Sequence, residues 1–152
     1  MAHENDRVKT RRWPLAKADY ETLAEFRYLL RRFLAFSEEA ALGSGVTPQQ
    51  HQALLAIKGF RGRERITVGE FAERLGVRHH SAVGLVDRLA ARGLVQRQAD
   101  RADRRQVRLG LTRRAEALLA RLSVAHRDEL RRLSPLLRAV LRRLSAAGRA
   151  RY

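Results

Sequence analysis

Residues 66–111, ITVGEFAERLGVRHHSAVGLVDRLAARGLVQRQADRADRRQVRLGL, decide how this chain is read. Two short helical patterns meet at Gly76, and a strand, an Arg/Asp-rich tip and a second strand follow. Thr67-Val68-Gly69-Glu70 is a capping box, with Ile66 and Phe71 at the two positions of a hydrophobic staple. Gly76 suits the left-handed residue that closes the first helix. Val107, Leu109 and Leu111 alternate with Arg108 and Gly110, the period of a strand with one buried face, and Leu94-Val95 begins its antiparallel partner.

A helix able to enter a groove, followed by a charged β-ribbon, is the layout of a winged helix-turn-helix. Taken as a helix at about 100° per residue, residues 79–92 turn Ala82, Leu85, Val86 and Leu89 inward. His80, Gly84, Asp87 and Arg88 centre on the opposite side, flanked by Ser81 and Val83. Positions near the start of a recognition helix lie closest to the base edges, which singles out Arg78, His79, His80, Ser81, Val83 and Gly84. Arg can bridge guanine O6 and N7, Ser and His can donate to several bases, and Val can touch a thymine methyl.

The tip, Asp100-Arg101-Ala102-Asp103-Arg104-Arg105, adds a second contact. Extended arginines on a turn fit a narrow minor groove, where the negative potential is strongest. Asp103 would be costly against phosphates, so its expected role is to hold an arginine side chain by a charge-assisted hydrogen bond. The bland alternative is a solvated hairpin tip.

Outward from this head, Leu23, Phe26, Leu30, Phe33 and Ser37 recur at helical spacing between Lys17 and Leu42, and Leu29, Leu34 and Phe36 broaden the stripe. Gly43-Ser44-Gly45 ends that helix. Thr47-Pro48-Gln49-Gln50 opens another, capped by Thr47 and Gln50 with Pro48 in its first turn. Beyond the wing, Thr112 caps a helical stretch through Leu118, Leu119, Leu122 and Ala125 to Leu133. Ser134-Pro135 is expected to break it before a last helix carrying Leu137, Val140, Leu141 and Leu144. The expected architecture is mainly α with a small β-hairpin wing. A flexible arm spans 1–16, the N-terminal part of a dimerisation region 17–45, the winged helix-turn-helix head 46–111, and C-terminal dimerisation helices 112–152. Apolar stripes at both ends of a short chain cover each other or build an intersubunit bundle, and the two-fold symmetry of DNA sites favours a homodimer.

The 152-residue chain carries a net charge of +16, concentrated where the motif lies. Residues 60–114 hold 14 arginines against 6 carboxylates, and the wing region 95–114 alone is +5. Such a field draws polyphosphate partners. Only three of the 32 basic residues are lysines, a skew that base composition of the genome produces as readily as function, so the motif carries the argument.

There is no cysteine, which excludes disulfides, zinc thiolates and thiol redox sensing. No apolar run reaches the ~20 residues of a membrane span, and MAHENDRVKTRRW has no apolar signal core, so a cytoplasmic protein with no membrane partner is expected. No nucleophile–base pair, Gly-rich phosphate loop or carboxylate pair stands out, so neither an enzyme nor a cofactor is expected. His79-His80 does not read as a metal site, because adjacent helical residues point about 100° apart. His51 and His126 could join a metal site only through tertiary contacts.

Leu75-Gly76-Val77, Leu85-Val86-Asp87-Arg88-Leu89, Gly93-Leu94-Val95, Asp103-Arg104-Arg105 and Leu111-Thr112, in this order and spacing, resemble the MarR family of winged helix-turn-helix transcriptional regulators over roughly residues 20–145. The resemblance implies a homodimer with intertwined terminal helices on a pseudo-palindromic operator. Recognition helices would occupy successive major grooves, with the wings in the flanking minor grooves. It further implies Arg105 as the minor-groove arginine with Asp103 as its orienting partner, and repression relieved by a small, often aromatic, effector. The family's effector pocket lies between dimer helices and reading head, where Phe33, Phe36 and His51 are the candidates; the same aromatics also fit a plain core. Two positions depart from the family pattern: Arg78 stands where a Ser or Thr cap is usual, and Gly84 where an Arg is usual. The second reading of the same charge is an RNA- or ribosome-associated winged helix.

Overall fold

The computed structural model describes residues 15–149, so the expected arm over 1–16 lies outside the described residues except for its last two positions. Along the chain run α1 (Lys17–Gly43), α2 (Pro48–Lys58), β1 (Ile66–Thr67), α3 (Val68–Leu75), α4 (His79–Ala91), β2 (Val95–Ala99), β3 (Val107–Leu111) and α5 (Arg113–Arg149).

Local chemistry sets most of these boundaries. Thr47 and Thr67 each accept from the backbone N–H three residues on, at 3.1 and 3.2 Å, while Gln50 and Glu70 reach back to the N–H of the capping threonine. Gly76 ends α3 at φ 63°, the left-handed conformation that costs a side chain energy and glycine nothing. Thr112 caps α5 by accepting from Ala115 N–H at 3.1 Å.

The three strands form an antiparallel sheet in the order β1-β3-β2. β2 and β3 pair from Val95↔Leu111 to Ala99↔Val107, as the alternation predicts. β1 is a strand that the sequence reading leaves out. Ile66 pairs with Leu109 and is fully buried beside Phe71 in one core, so the staple position is also a sheet position.

That core is the head. Leu54, Ile57, Ile66, Phe71, Leu85, Val86, Leu89, Leu94 and Leu109 are buried in it, and the four residues expected on the inner face of the recognition helix are all among its members. The first turns of α5 dock into the same core through Ala115, Leu118, Leu119 and Leu122. A smaller cluster lies farther along: Leu29 of α1 against Leu133 and Val140 of α5, with Phe26, Phe33 and Leu137 around them. α5 therefore belongs to both head and stem.

Two expectations are corrected. α5 does not break at Ser134-Pro135 but continues through Pro135 to Arg149. Proline removes one helical hydrogen bond and crowds the carbonyl four residues back. Leu133 on one side of it and Leu137 and Val140 on the other pack on the same stretch of α1, which holds the axis through the defect. The α1 stripe, in turn, splits. Leu29 is buried and Phe26, Phe33, Phe36 and Ser37 are partly covered, whereas Leu23, Leu30 and Leu34 stay exposed along another face. The result is a winged helix-turn-helix head carried between two long terminal helices.

Candidate nucleic-acid interface

α4 starts without a side-chain cap, because Arg78 at the cap position offers only donors where the free N–H groups need an acceptor. Its inner row fixes the helix on the core and leaves Arg78, His79, His80, Ser81, Val83 and Arg88 exposed on the outer side. Gly84 is half-buried for a specific reason: the Arg88 guanidinium folds back over it, with Nη1 3.6 Å from where a Cβ would stand. The missing side chain at 84 thus gives the arginine one turn later a seat on the helix surface.

Across from α4 stands the wing. Asp100 N–H donates to the Gln106 carbonyl at 2.9 Å and closes the tip. The arginine held by a carboxylate here is Arg108, which donates from Nε to Asp100 at 2.8 Å. Hydrogen bonds from the backbone N–H of Ala102 and from the Arg108 side chain hold the Asp100 carboxyl below its ordinary value.

Asp103 departs from its expected role. It accepts from the backbone N–H of Arg105 at 3.0 Å and holds the side chain of no described arginine. Its neighbours explain this, since a carboxylate at that point of a turn reaches the N–H two residues on more readily than a long side chain directed outward. Asp103 still fixes Arg105, through the main chain. Arg101, Arg104 and Arg105 are exposed and form no ion pair with any described residue.

Helix and wing enclose a cleft of about 490 Å³. His79 and Val83 line it from α4, Thr67, Val68 and Gly69 from the start of α3, and Arg97, Arg105, Gln106 and Val107 from the ribbon. Of the residues singled out from sequence, His79, Val83 and Arg105 meet in this cleft. Arg78, His80, Ser81, Gly84 and Arg88 lie along the helix beside it, and Arg101, Asp103 and Arg104 on the tip beyond. The sequence reading missed Arg97, which pairs with Asp87 and ties β2 to α4. It also missed Arg92 at the end of α4, whose guanidinium donates to Gln50 Oε1 at 2.7 Å and to the Gly45 carbonyl at 2.6 Å. Asp87 and Arg97 were readable as charges of opposite sign, but only the hairpin's fold-back places them together.

A second cavity, about 470 Å³, opens between head and stem. Phe33 and His51 line it, together with Leu55, Ser123, His126, Arg127, Leu130, Arg131 and Ser134. Phe36 is not on its wall; its ring meets His126 from behind, edge to face at 5.4 Å. His126 was the missed member, reached from α5. Its Nε2 lies 2.8 Å from Ser37 Oγ and its Nδ1 2.6 Å from the Leu122 carbonyl. Burial, and then the neighbouring His126, hold His51 below the ordinary histidine value. Among the described residues there is no group of three potential metal ligands, and no helix is long and apolar enough to cross a membrane.

Residues 44–106 match the model of the MarR family. No curated protein matches the chain in sequence. Solved structures do match. AbsC, a MarR family transcriptional regulator from Streptomyces coelicolor, is 19% identical, with 91% of this chain and 94% of that one covered at a TM-score of 0.69. A mutant of S. aureus MepR bound to an oligodeoxyribonucleotide is 17% identical, with 86% and 98% covered at 0.65. BpsR of Bordetella bronchiseptica, whose DNA binding is regulated by 6-hydroxynicotinic acid, is 22% identical, with 90% and 97% covered at 0.60. Members of this family are transcription regulators, not enzymes. The segment 44–106 is that of the MarR family, and the chain that carries it has the winged helix-turn-helix fold of the family's regulators.

Proposed function

We propose that the chain is a cytoplasmic, sequence-specific transcriptional regulator that binds double-stranded DNA as a homodimer, and that it is a repressor released by a small aromatic ligand. The observation that carries this reading is the cleft between α4 and the wing, walled on one side by exposed His79 and Val83 and on the other by Arg97, which Asp87 holds, and by exposed Arg105, which pairs with no described carboxylate. The helix row, Arg78, His79, His80, Ser81, Val83, Gly84 and Arg88, meets the major groove and reads bases. The wing residues Arg101, Arg104 and Arg105 enter the adjacent minor groove, with Asp103 setting the main chain of Arg105. MepR was solved on DNA with the same fold, which supports this placement.

Residues 17–45 and 112–152 supply the dimer. Leu23, Leu30 and Leu34 on α1 and Leu130, Leu136, Leu141 and Leu144 on α5 are exposed in the single chain. Single exposed leucines are ordinary, but rows of them on two packed helices need a cover, and a second copy brings the same rows. Two heads on one stem then reach half-sites about 34 Å apart along one duplex.

The second cavity is the effector site. It lies where α1, α2 and α5 meet, so a ligand there pushes on the joint between stem and head. Phe33 and His51 form part of its wall, and Phe36 backs His126. BpsR, whose DNA binding answers to an aromatic acid, supports an effector of that size.

Selection from a random duplex pool, followed by light scattering of the complex, tests the reading. A pseudo-palindrome bound by two chains is the expected result. Binding without sequence preference, or tighter binding to structured RNA than to any duplex, overturns it.

A further inference from the structure

The outward face of α4 carries a guanidinium at one residue that belongs to another. Arg88 folds back toward the helix start, and its Nη1 lies 3.6 Å from where a Cβ on Gly84 would stand. The charge therefore sits near the level of residue 84. Four residues of helix rise about 6 Å, so it is that much nearer the turn that lies closest to base edges. At about 100° per residue, Gly84 stands nearly opposite the centre of the buried row Ala82, Leu85, Val86 and Leu89. The seat is thus on the midline of the exposed face, which meets the floor of a groove, while the flanks of that face meet its phosphate walls.

Nothing among the described residues competes for this group. The adjacent carboxylate, Asp87, is engaged by Arg97 of β2. Arg88 is exposed and forms neither an ion pair nor a side-chain hydrogen bond with any described residue. All five of its N–H donors are free for a ligand. A guanidinium laid along the helix has also given up part of its rotational freedom, so ordering it on binding costs less. A side chain larger than alanine at 84 would fill the same space and turn the arginine away.

We propose that Arg88, seated over Gly84, reads a guanine in each half-site, which makes the absence of a side chain at 84 a determinant of operator sequence. The inference rests on α4 lying in the major groove. A guanidinium presents two parallel N–H donors, and guanine alone offers two neighbouring acceptors, O6 and N7, on its major-groove edge. Adenine sets an amino donor beside its N7, cytosine presents an amino donor, and thymine offers one carbonyl beside a methyl. Gly84 contributes no contact of its own. It lets the reading group of residue 88 act from a place one turn earlier, and it lets the helix backbone lie closer to the bases there.

Selection from a random duplex pool with the full chain, run in parallel for the parent, Arg88→Ala, Gly84→Ala and Gly84→Leu, tests this. The parent is expected to return a fixed guanine in each half-site that becomes unspecified in Arg88→Ala, with about tenfold loss of affinity for the parent's site. Gly84→Ala is expected to keep that guanine, because a Cβ 3.6 Å from Nη1 is in ordinary contact. Gly84→Leu is expected to lose it although Arg88 is still present. Replacing the guanine by 7-deazaguanine, which lacks the N7 acceptor, is expected to weaken the parent several-fold and Arg88→Ala hardly at all. Thermal melts show that each variant is folded, and Arg88→Ala with the 7-deaza duplex decides alone if Gly84→Leu does not fold.

A sequence-specific consensus in which no guanine depends on Arg88 overturns the proposal and leaves operator recognition by α4 standing. The same holds for a guanine retained in folded Gly84→Leu, or for 7-deazaguanine that is equally harmful with and without Arg88. If Arg88→Ala lowers the slope of log affinity against log salt by about one and leaves the consensus unchanged, Arg88 lies on phosphate and the proposal is again overturned. Binding by the parent with no sequence preference at all overturns both this proposal and the reading it rests on.

Discussion

Asp87 of α4 and Arg97 of β2 form an ion pair that ties the helix to the near strand of the wing and so holds the angle between them. Both side chains are well exposed, so the pair contributes little to folding, under about 1 kcal/mol. Its effect falls on geometry. Arg97→Ala is expected to leave the melting temperature within a degree or two of the parent and to weaken binding to the selected duplex several-fold. Fluorescence anisotropy at fixed salt, beside a thermal melt, checks it; parent-like affinity would show that the wing holds its angle without the pair.

Arg105→Ala is expected to cost about tenfold in affinity, on the order of 1–3 kcal/mol, with the fold unchanged. If the arginine also lies along phosphates, the slope of log affinity against log salt should fall by about one. An unchanged slope and affinity in a salt-controlled titration would remove Arg105 from the interface. His80→Ala or Arg78→Ala should instead alter the consensus returned by selection, since helix contacts specify bases while phosphate contacts position the protein.

Phe71 is fully buried in the head, next to Ile66 and under α4. Phe71→Ala is expected to destabilise the chain by about 3–5 kcal/mol, the cost of lost transfer energy plus the cavity left behind. Urea denaturation measures it. A loss below about 1 kcal/mol would mean that the head core is not packed as described.

Proline at 135 sits inside a continuous helix, so Pro135→Ala restores a backbone donor and removes a clash without disturbing a turn. We expect a stabilisation of roughly 1 kcal/mol or more, seen as a raised melting temperature. Destabilisation would point to a bend at Pro135 that the packing of α1 requires.

Because His51 is held below the ordinary histidine value in the fold, the unfolded chain binds its proton first as pH drops. The stability associated with keeping His51 neutral is therefore fully present above the reference value of 6.5 and is lost progressively as pH falls below it. Urea midpoints measured from about pH 7.5 to pH 5 should fall more steeply for the parent than for His51→Gln. Parallel curves would place His51 in a more solvated setting than the cavity.

The head was legible because its signals are local. Capping threonines, a left-handed glycine and a period-two strand each act within four residues, and Ala82, Leu85, Val86 and Leu89 share a face by helical geometry alone. What escaped depends on contacts far apart in sequence. β1 is two residues long and exists only because β3 passes beside it. His126 joins His51 only when α5 folds back along α1 and α2. Pro135 misled for the same reason: a local rule ends the helix, and tertiary packing on both sides overrides it. Asp103 and Asp100 were equally placed to hold an arginine, and the register of the hairpin, which sets Arg108 against Gln98, gave that role to Asp100.

The unbroken run of α5 has a mechanical result. Its 37 residues, if straight, span about 55 Å, rooted at one end among the leucines of the head. A rod of that length turns a rotation of about 5° at its root into a displacement of about 5 Å at its far end. With no joint at Pro135 to absorb the swing, a ligand that wedged His126 aside would, in the proposed dimer, be felt as a change in the spacing of the two α4 helices.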